Sequence, residues 1–259
     1  MTDTDSTVLV LRTCKPDRTS HSGFVWPEVG GTATAPDWDP DPDRACGGGL
    51  HGLLWGCGDA HLLSHAADAL WQVVAVKPVD IANPDAPGKV RFRSGVVVFE
   101  GDRDGATTYL LDNGAAGRPV VYGTATAGHY GTATAGNGGT ATAGCYGTAT
   151  AGHYGTATAG YYGTATAGDY GTATARYCGT ATAGHYGTAT AGDYGTATAG
   201  DYGTATAGNG GTIVVRWWDA EVDRYRLTIG YPGEDGIEPN VAYRCDGKGN
   251  LVRAEAVTK

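Results

Sequence analysis

The sequence predicts a mainly β protein: a two-sided β-solenoid of about 16 residues per coil, with a small α+β N-terminal domain and a β C-terminal cap. Three observations carry this prediction. A unit opening GTATA starts at Gly123, Gly131 and every eighth residue to Gly203, eleven copies without an insertion or deletion. Within each unit Thr-Ala-Thr-Ala alternates strictly, which is the period of a strand with two unlike faces. Residues 123–210 contain no Leu, Ile, Val, Met, Phe or Trp, whereas residues 8–121 and 211–257 contain all six Trp and nearly all the aliphatics.

The elements follow in order. Residues 1–121 have the large apolar side chains of an ordinary core, in VLVL, HGLLWG and ALWQVVAVKP, and read as an α+β head. A short helix is expected over DAHLLSHAADA. An orphan copy, GGTATAP at Gly30–Pro36, either pairs with the first coil or forms a loop. Residues 122–210 are the solenoid. A period that never slips means that each copy occupies the same place in a stack of neighbours. One octad is then one short strand plus one corner, with Gly, a variable residue and usually Tyr making the turn. Residues 211–259 form the cap. A decayed twelfth copy, GTIVV, begins at Gly211, and GTIVVRWWD converts the last coil into ordinary β structure, continued by YRLTIGYP, VAYRCD and the turn DGKGN.

Two choices fix the coil. Buried Thr would leave hydroxyls without partners in a thin dry interior, at about 1–3 kcal/mol each, so Ala faces in and Thr faces out. Two octads per coil stack Asn137, His153, Asp169, His185 and Asp201 at one corner, giving each Asp a His neighbour. Three octads per coil would set Asp169 on Asp193, like charges about 4.8 Å apart. The two-octad coil is favoured. It puts Thr124, Thr126, Thr140, Thr142, Thr156, Thr158, Thr172, Thr174, Thr188, Thr190, Thr204 and Thr206 on one face. The other face carries Thr132, Thr134, Thr148, Thr150, Thr164, Thr166, Thr180, Thr182, Thr196 and Thr198.

Composition excludes some partners. A net charge of −9, with one Arg and no Lys in the repeat, disfavours nucleic acid and anionic membranes. No apolar run approaches transmembrane length. The opening MTDTDSTVLVLR lacks the basic-then-apolar order of a signal peptide, and the six scattered Cys form no CxxC pair. Reduced thiols and a cytoplasmic location are therefore expected, with no cofactor and no metal.

Catalytic candidates are few and confined to the head. His51 in GGGLHG reads as a packed residue of a turn, since the glycines lack the context of a nucleotide loop. Cys46 and Cys57 have no positioned base and read as small core residues. His61 and His65, near Asp59, are four apart on the expected helix, a spacing that suits a metal but lacks the intervening Glu of metalloproteases. In the repeat, His129, His153 and His185 with Asp169, Asp193 and Asp201 read as self-satisfied His–Asp stacks. Nine tyrosines recur at one octad position. Tyr130, Tyr146, Tyr162 and Tyr194 line one edge, and Tyr122, Tyr154, Tyr170, Tyr186 and Tyr202 the other. They form either a homodimer seam or an internal stack that closes the corner.

The octad AGxYGTAT is similar to the AGYGSTxT octad of bacterial ice-nucleation proteins, and the outward TxT rows resemble those of insect β-solenoid antifreeze proteins. That resemblance implies a surface that orders water or binds ice through the Thr rows, and the short array points to binding ice over nucleating it. The competing reading is a rigid spacer or self-assembly scaffold. Across the whole chain, GFVWPEVGG, CGGGLHGLLWG and DGIEPNVAYRCDGKGNLV resemble a family of bacterial and phage proteins with a globular head, short Ala/Thr-rich repeats and a β tail. This second resemblance implies architecture and no activity.

Overall fold

The computed structural model describes residues 7–44, 47–85 and 88–254. The chain divides into two compact units, Met1–Gly123 and Thr124–Lys259.

The head is built on one six-stranded antiparallel sheet. Its strands are β1 (Val8–Cys14), β2 (Thr32–Thr34), β3 (Leu50–Leu54), β4 (Leu70–Val76), β5 (Val90–Phe92) and β6 (Ser94–Gly101), in the order β2-β6-β4-β1-β3-β5. The central strands β1 and β4 are apolar on both faces apart from Arg12, Thr13 and Gln72, because both faces are covered. Leu9, Leu11, Trp71 and Val73 pack on one side with helix α1 (Arg103–Leu110), and Val10, Val74, Val76, Trp26 and Phe92 pack on the other. Asp102 caps α1 by accepting from the Gly105 amide at 2.8 Å. Two expectations fail here. The orphan TATA is neither a loop nor a partner of the solenoid: Thr32–Thr34 pairs antiparallel with β6 as the sheet's edge. The helix expected over DAHLLSHAADA shrinks to one 3-10 turn, Ala60–Leu62.

In the second unit each octad contributes a four-residue strand, from Thr124–Ala127 to Thr204–Ala207. Successive octads alternate between two parallel sheets. Thr132–Ala135 therefore pairs with Thr148–Ala151, sixteen residues on, with Thr opposite Thr and Ala opposite Ala. Two octads make one coil. The inward alanines of the two sheets form a single core, and from Ala133 to Ala207 none is more than 4% exposed. The last coil enlarges that core: Ile213 and Val215 stand in register with Ala197 and Ala199. Both sheets then end in antiparallel cap strands. Arg224–Gly230 adds to Thr212–Asp219 on one sheet. On the other, Tyr243–Cys245 pairs with the strand Thr204–Ala207, and Leu251–Arg253 follows. Tyr243 closes the end of the alanine core, and its hydroxyl accepts from the Glu238 amide at 2.8 Å.

The corners explain the remaining letters of the octad. Gly131 N donates to Gly128 O at 3.1 Å, and the residue before it, Tyr130, has φ +58°. This is a tight turn whose third residue is left-handed, a place that ordinarily goes to Gly or Asn. Tyrosine holds it at nearly every corner, with φ +55° to +58°, Cys178 at one and Gly138 and Gly210 at two others. The glycine after it is crowded by its own strand and by the coil below, while the glycine before it gives way to Arg176 at one corner. A Cβ at Gly147 would lie 2.8 Å from the Ala143 methyl and 2.9 Å from Gly131 O.

Candidate functional site

The register of the coil turns pairs of threonines into rows. On one sheet Thr140 stands between Thr124 and Thr156, and Thr142 between Thr126 and Thr158. On the other, Thr148 stands between Thr132 and Thr164. The first threonine is exposed in every octad from Thr124 to Thr188 and half-buried at Thr196 and Thr204, the two octads nearest the cap. The second is half-buried from Thr150 onward. No array hydroxyl has a protein partner among the described residues. Neighbours lie about 4.8 Å apart across strands and about 6.7 Å apart along them. Because Thr is stiff at χ1, each face is a preset grid of methyl and hydroxyl groups.

The edges of the coil carry two further columns. Tyr130, Tyr146 and Tyr162 stack with ring centroids 5.1 Å apart, and Tyr154, Tyr170, Tyr186 and Tyr202 stack at 5.0–5.1 Å on the opposite edge. These rings lie on the surface: Tyr130 is 77% exposed and Tyr186 is 47% exposed. A left-handed residue other than glycine costs about 1–2 kcal/mol, which the stacking, about 0.5–1.5 kcal/mol per pair, offsets. Tyr122 does not belong to this ladder. It packs inside the head, edge-on to Trp71 at 5.9 Å and with its hydroxyl 3.3 Å from His65 Nδ1.

The variable column contains a device that periodicity does not reveal. Asp169 Oδ1 accepts the backbone amide of His185 at 2.8 Å, one coil further on. Asn137 does the same for His153 at 3.0 Å, and Asp193 for Asn209 at 2.8 Å. A short acceptor at this position ties one coil to the next. The His–Asp stacks are looser than the sequence implies, with His153 Nδ1–Asp169 Oδ2 and His185 Nε2–Asp201 Oδ2 both at 3.7 Å. His129 and Asp193 occupy the other corner, four coils apart, so the six residues form no common cluster.

In the head the predicted residues disperse. His61 Nδ1 lies 3.1 Å from Asp59 Oδ1, while His65 turns to Tyr122, so they share no ligand. Among the described residues no three His, Cys, Asp or Glu are grouped to hold a metal. Cys57 is half-buried, its thiol directed to Trp55 O, and burial pushes its pKa up. Cys46 lies outside the described residues. His51 is the exception: it sits on strand β3 and not in a turn, and it lines a cavity of about 790 Å³. Burial, then the charges of Lys89 and Arg91, push its pKa down. Its Nε2 has no partner among the described residues.

Fold and surface together define a two-sided parallel β-solenoid that presents in-register Thr-x-Thr arrays. Among curated proteins the chain is similar to bacterial ice nucleation proteins. Over 102 residues, 39% of the chain, it is 41% identical to an ice nucleation protein of Pseudomonas syringae. It is 40% identical over 106 residues to one of Pseudomonas fluorescens, and 32% identical over 108 residues to one of Pantoea ananas. The matched stretches are 8% to 10% of those proteins, so the chain spans a tenth or less of the length of these curated relatives. No family model matches the chain, and no solved structure matches it.

Proposed function

We propose that this is a non-enzymatic protein whose threonine arrays order water and bind ice. One observation carries the reading: the outward hydroxyls stand in register on both sheets and none is committed to a protein partner among the described residues. Methyls at the same spacing hold the water layer against the surface, while hydroxyls anchor it. The similarity to ice nucleation proteins supports the same assignment. Six strands at about 4.8 Å span about 24 Å, a patch suited to adsorbing on ice and small for seeding it. The exposed tyrosine edges are the surfaces we assign to self-association, for which sedimentation at rising concentration should show a dimer.

The test compares the wild type with the variant Thr156→Lys, Thr158→Lys, Thr188→Lys and Thr190→Lys, all on one sheet. Wild type should inhibit ice recrystallisation and separate freezing from melting; the variant should lose about half of this and remain folded. The opposite sheet, with Thr148, Thr150, Thr164 and Thr166, is the internal control. A wild type no different from an inert protein of equal size sinks the reading and leaves the solenoid as a rigid spacer.

A further inference from the structure

The head contains a charge that its own fold does not balance. Arg12, on β1, is only 6% exposed. Its guanidinium donates to Gln72 Oε1 and to Thr13 O, both at 2.8 Å, and lies 3.5 Å from the centroid of the Trp26 ring. The Cys14 thiol is a further partner, and burial raises its pKa, so every partner of the guanidinium is neutral and Nε has none. The nearest carboxylate along this network, Glu100, is reached only through Gln72 and is already held by two bonds from Arg18. Burial lowers the Arg12 pKa to about 10, so the side chain stays cationic at neutral pH. A buried cation without a carboxylate is costly to keep.

Arg12 lines the 790 Å³ cavity beside β3, whose other charged side chains at neutral pH are Lys89 and Asp37. Lys89, His21 and His51 share the wall, and Asp37, its only carboxylate among the described residues, uses one oxygen on the Gly49 amide at 3.1 Å. Arg91, which faces His51 across the β3–β5 pair, is itself fully buried against the carbonyls of Asp39, Asp41 and Gly48. A cationic pocket in a chain of net charge −9 does not follow from composition. The rest of the wall is mixed, with the hydroxyls of Thr13, Ser20 and Ser22 beside Phe24 and the half-exposed Leu62. The volume is that of a site for a small organic molecule.

We propose that this cavity binds a small organic anion, an oxyanion headgroup on an apolar body. Arg12 and Lys89 supply the countercharge, and Phe24 and Leu62 cover the body. The site is independent of the threonine arrays, so its failure and theirs are separate results.

Calorimetric titration of the full chain with phenyl phosphate and with benzoate tests the proposal. At least one should bind saturably, one to one, with a Kd below about 1 mM, and the affinity should fall as salt rises. Comparing the two probes tells a phosphate head from a carboxylate. Lys89→Gln should weaken binding by about tenfold while circular dichroism stays unchanged. Arg12→Lys, which keeps the charge but loses the fork, should weaken it too; because Arg12 is packed into the head, Lys89→Gln is the deciding variant. Benzoate, whose own charge is constant above about pH 5, should bind more tightly as pH falls below about 6.5 and His51 gains a proton. The proposal is overturned if neither probe binds at about 10 mM. It is also overturned if benzyl alcohol binds as tightly as benzoate, if inorganic phosphate binds as tightly as phenyl phosphate, or if Lys89→Gln and His51→Gln bind like wild type.

Discussion

Tyr177 lies edge-on to Tyr162, ring centroids 5.9 Å apart at 76°, where Cys178 interrupts the tyrosine ladder. In this octad AGxY has become ARYC, so the aromatic ring belongs to the neighbouring column. It also meets Tyr194 at 5.5 Å and 69°, and so bridges a gap of two coils. The column that lost its tyrosine keeps a continuous aromatic edge by borrowing one.

Tyr177→Ala should therefore lower stability by about 0.5–1.5 kcal/mol, the worth of an aromatic pair. Adding Cys178→Tyr to that variant should restore the loss by rebuilding the parallel stack. Thermal unfolding measures both. Equal midpoints for wild type and Tyr177→Ala would mean that the bridge holds nothing together.

The corners predict a contrast between two glycines of the same octad position. A Cβ at Gly184 would stand 2.3 Å from Asp169 Oδ1 and 2.7 Å from Asp169 N, whereas at Gly128, in the first coil, it meets nothing within 4 Å. Gly184→Ala should cost about 1–3 kcal/mol and Gly128→Ala almost nothing. Indistinguishable midpoints would contradict stacking as the reason for the glycine.

Inward and outward positions should differ as sharply. Ala173 is fully buried between the sheets, and Ala173→Leu should cost about 1–3 kcal/mol or prevent folding. Thr172→Lys, one residue away on the exposed face, should change stability by less than about 0.5 kcal/mol. Circular dichroism during heating reads both, and a tolerated leucine would argue against the alanine core.

Acid should weaken the head through Glu100. Hydrogen bonds from Arg18, joined by one from Gln72, hold its pKa below the ordinary value of 4.5, against the opposing effect of burial. A carboxyl whose folded pKa is lowered contributes stability that is complete above the ordinary value and is lost as pH falls through the lowered one. The midpoint of the head's unfolding should drop as pH falls below the ordinary value of 4.5, and Glu100→Gln should flatten that part of the profile. An unchanged slope in the variant would assign the acid sensitivity elsewhere.

The solenoid was legible because its contacts join residues one coil apart. The Thr-Ala alternation states which side is inside, and the Asn137–His153 and Asp169–His185 neighbours follow from counting sixteen residues. What the period could not show is the use of those neighbours: a carboxylate on the next coil's amide, and a tyrosine in a glycine's conformation. The head was opaque for the opposite reason. Arg12 meets Gln72, and Arg18 meets Glu100, across sixty and more residues with no local pattern to announce them. His51 looked like a turn residue because glycines surround it, yet β1 and β5 recruit it into the sheet. The TATA at Thr32–Thr34 likewise took its partner from β6 and not from its sequence twins.

Alternation between two sheets also constrains how such a chain can change in length. Because Thr124–Ala127 and Thr132–Ala135 lie on opposite sheets, dropping one octad sends every later strand to the other side. Removing the octad that holds Asp169 would leave His153 stacked under Tyr177 and bring Tyr161 beneath His185, breaking the tie from carboxylate to amide. Dropping two adjacent octads leaves every surviving residue in its own column. Copying errors in the gene are thus sorted by parity, and inherited length variants are expected to differ by whole coils, with odd steps surviving only where neighbouring corners carry interchangeable residues.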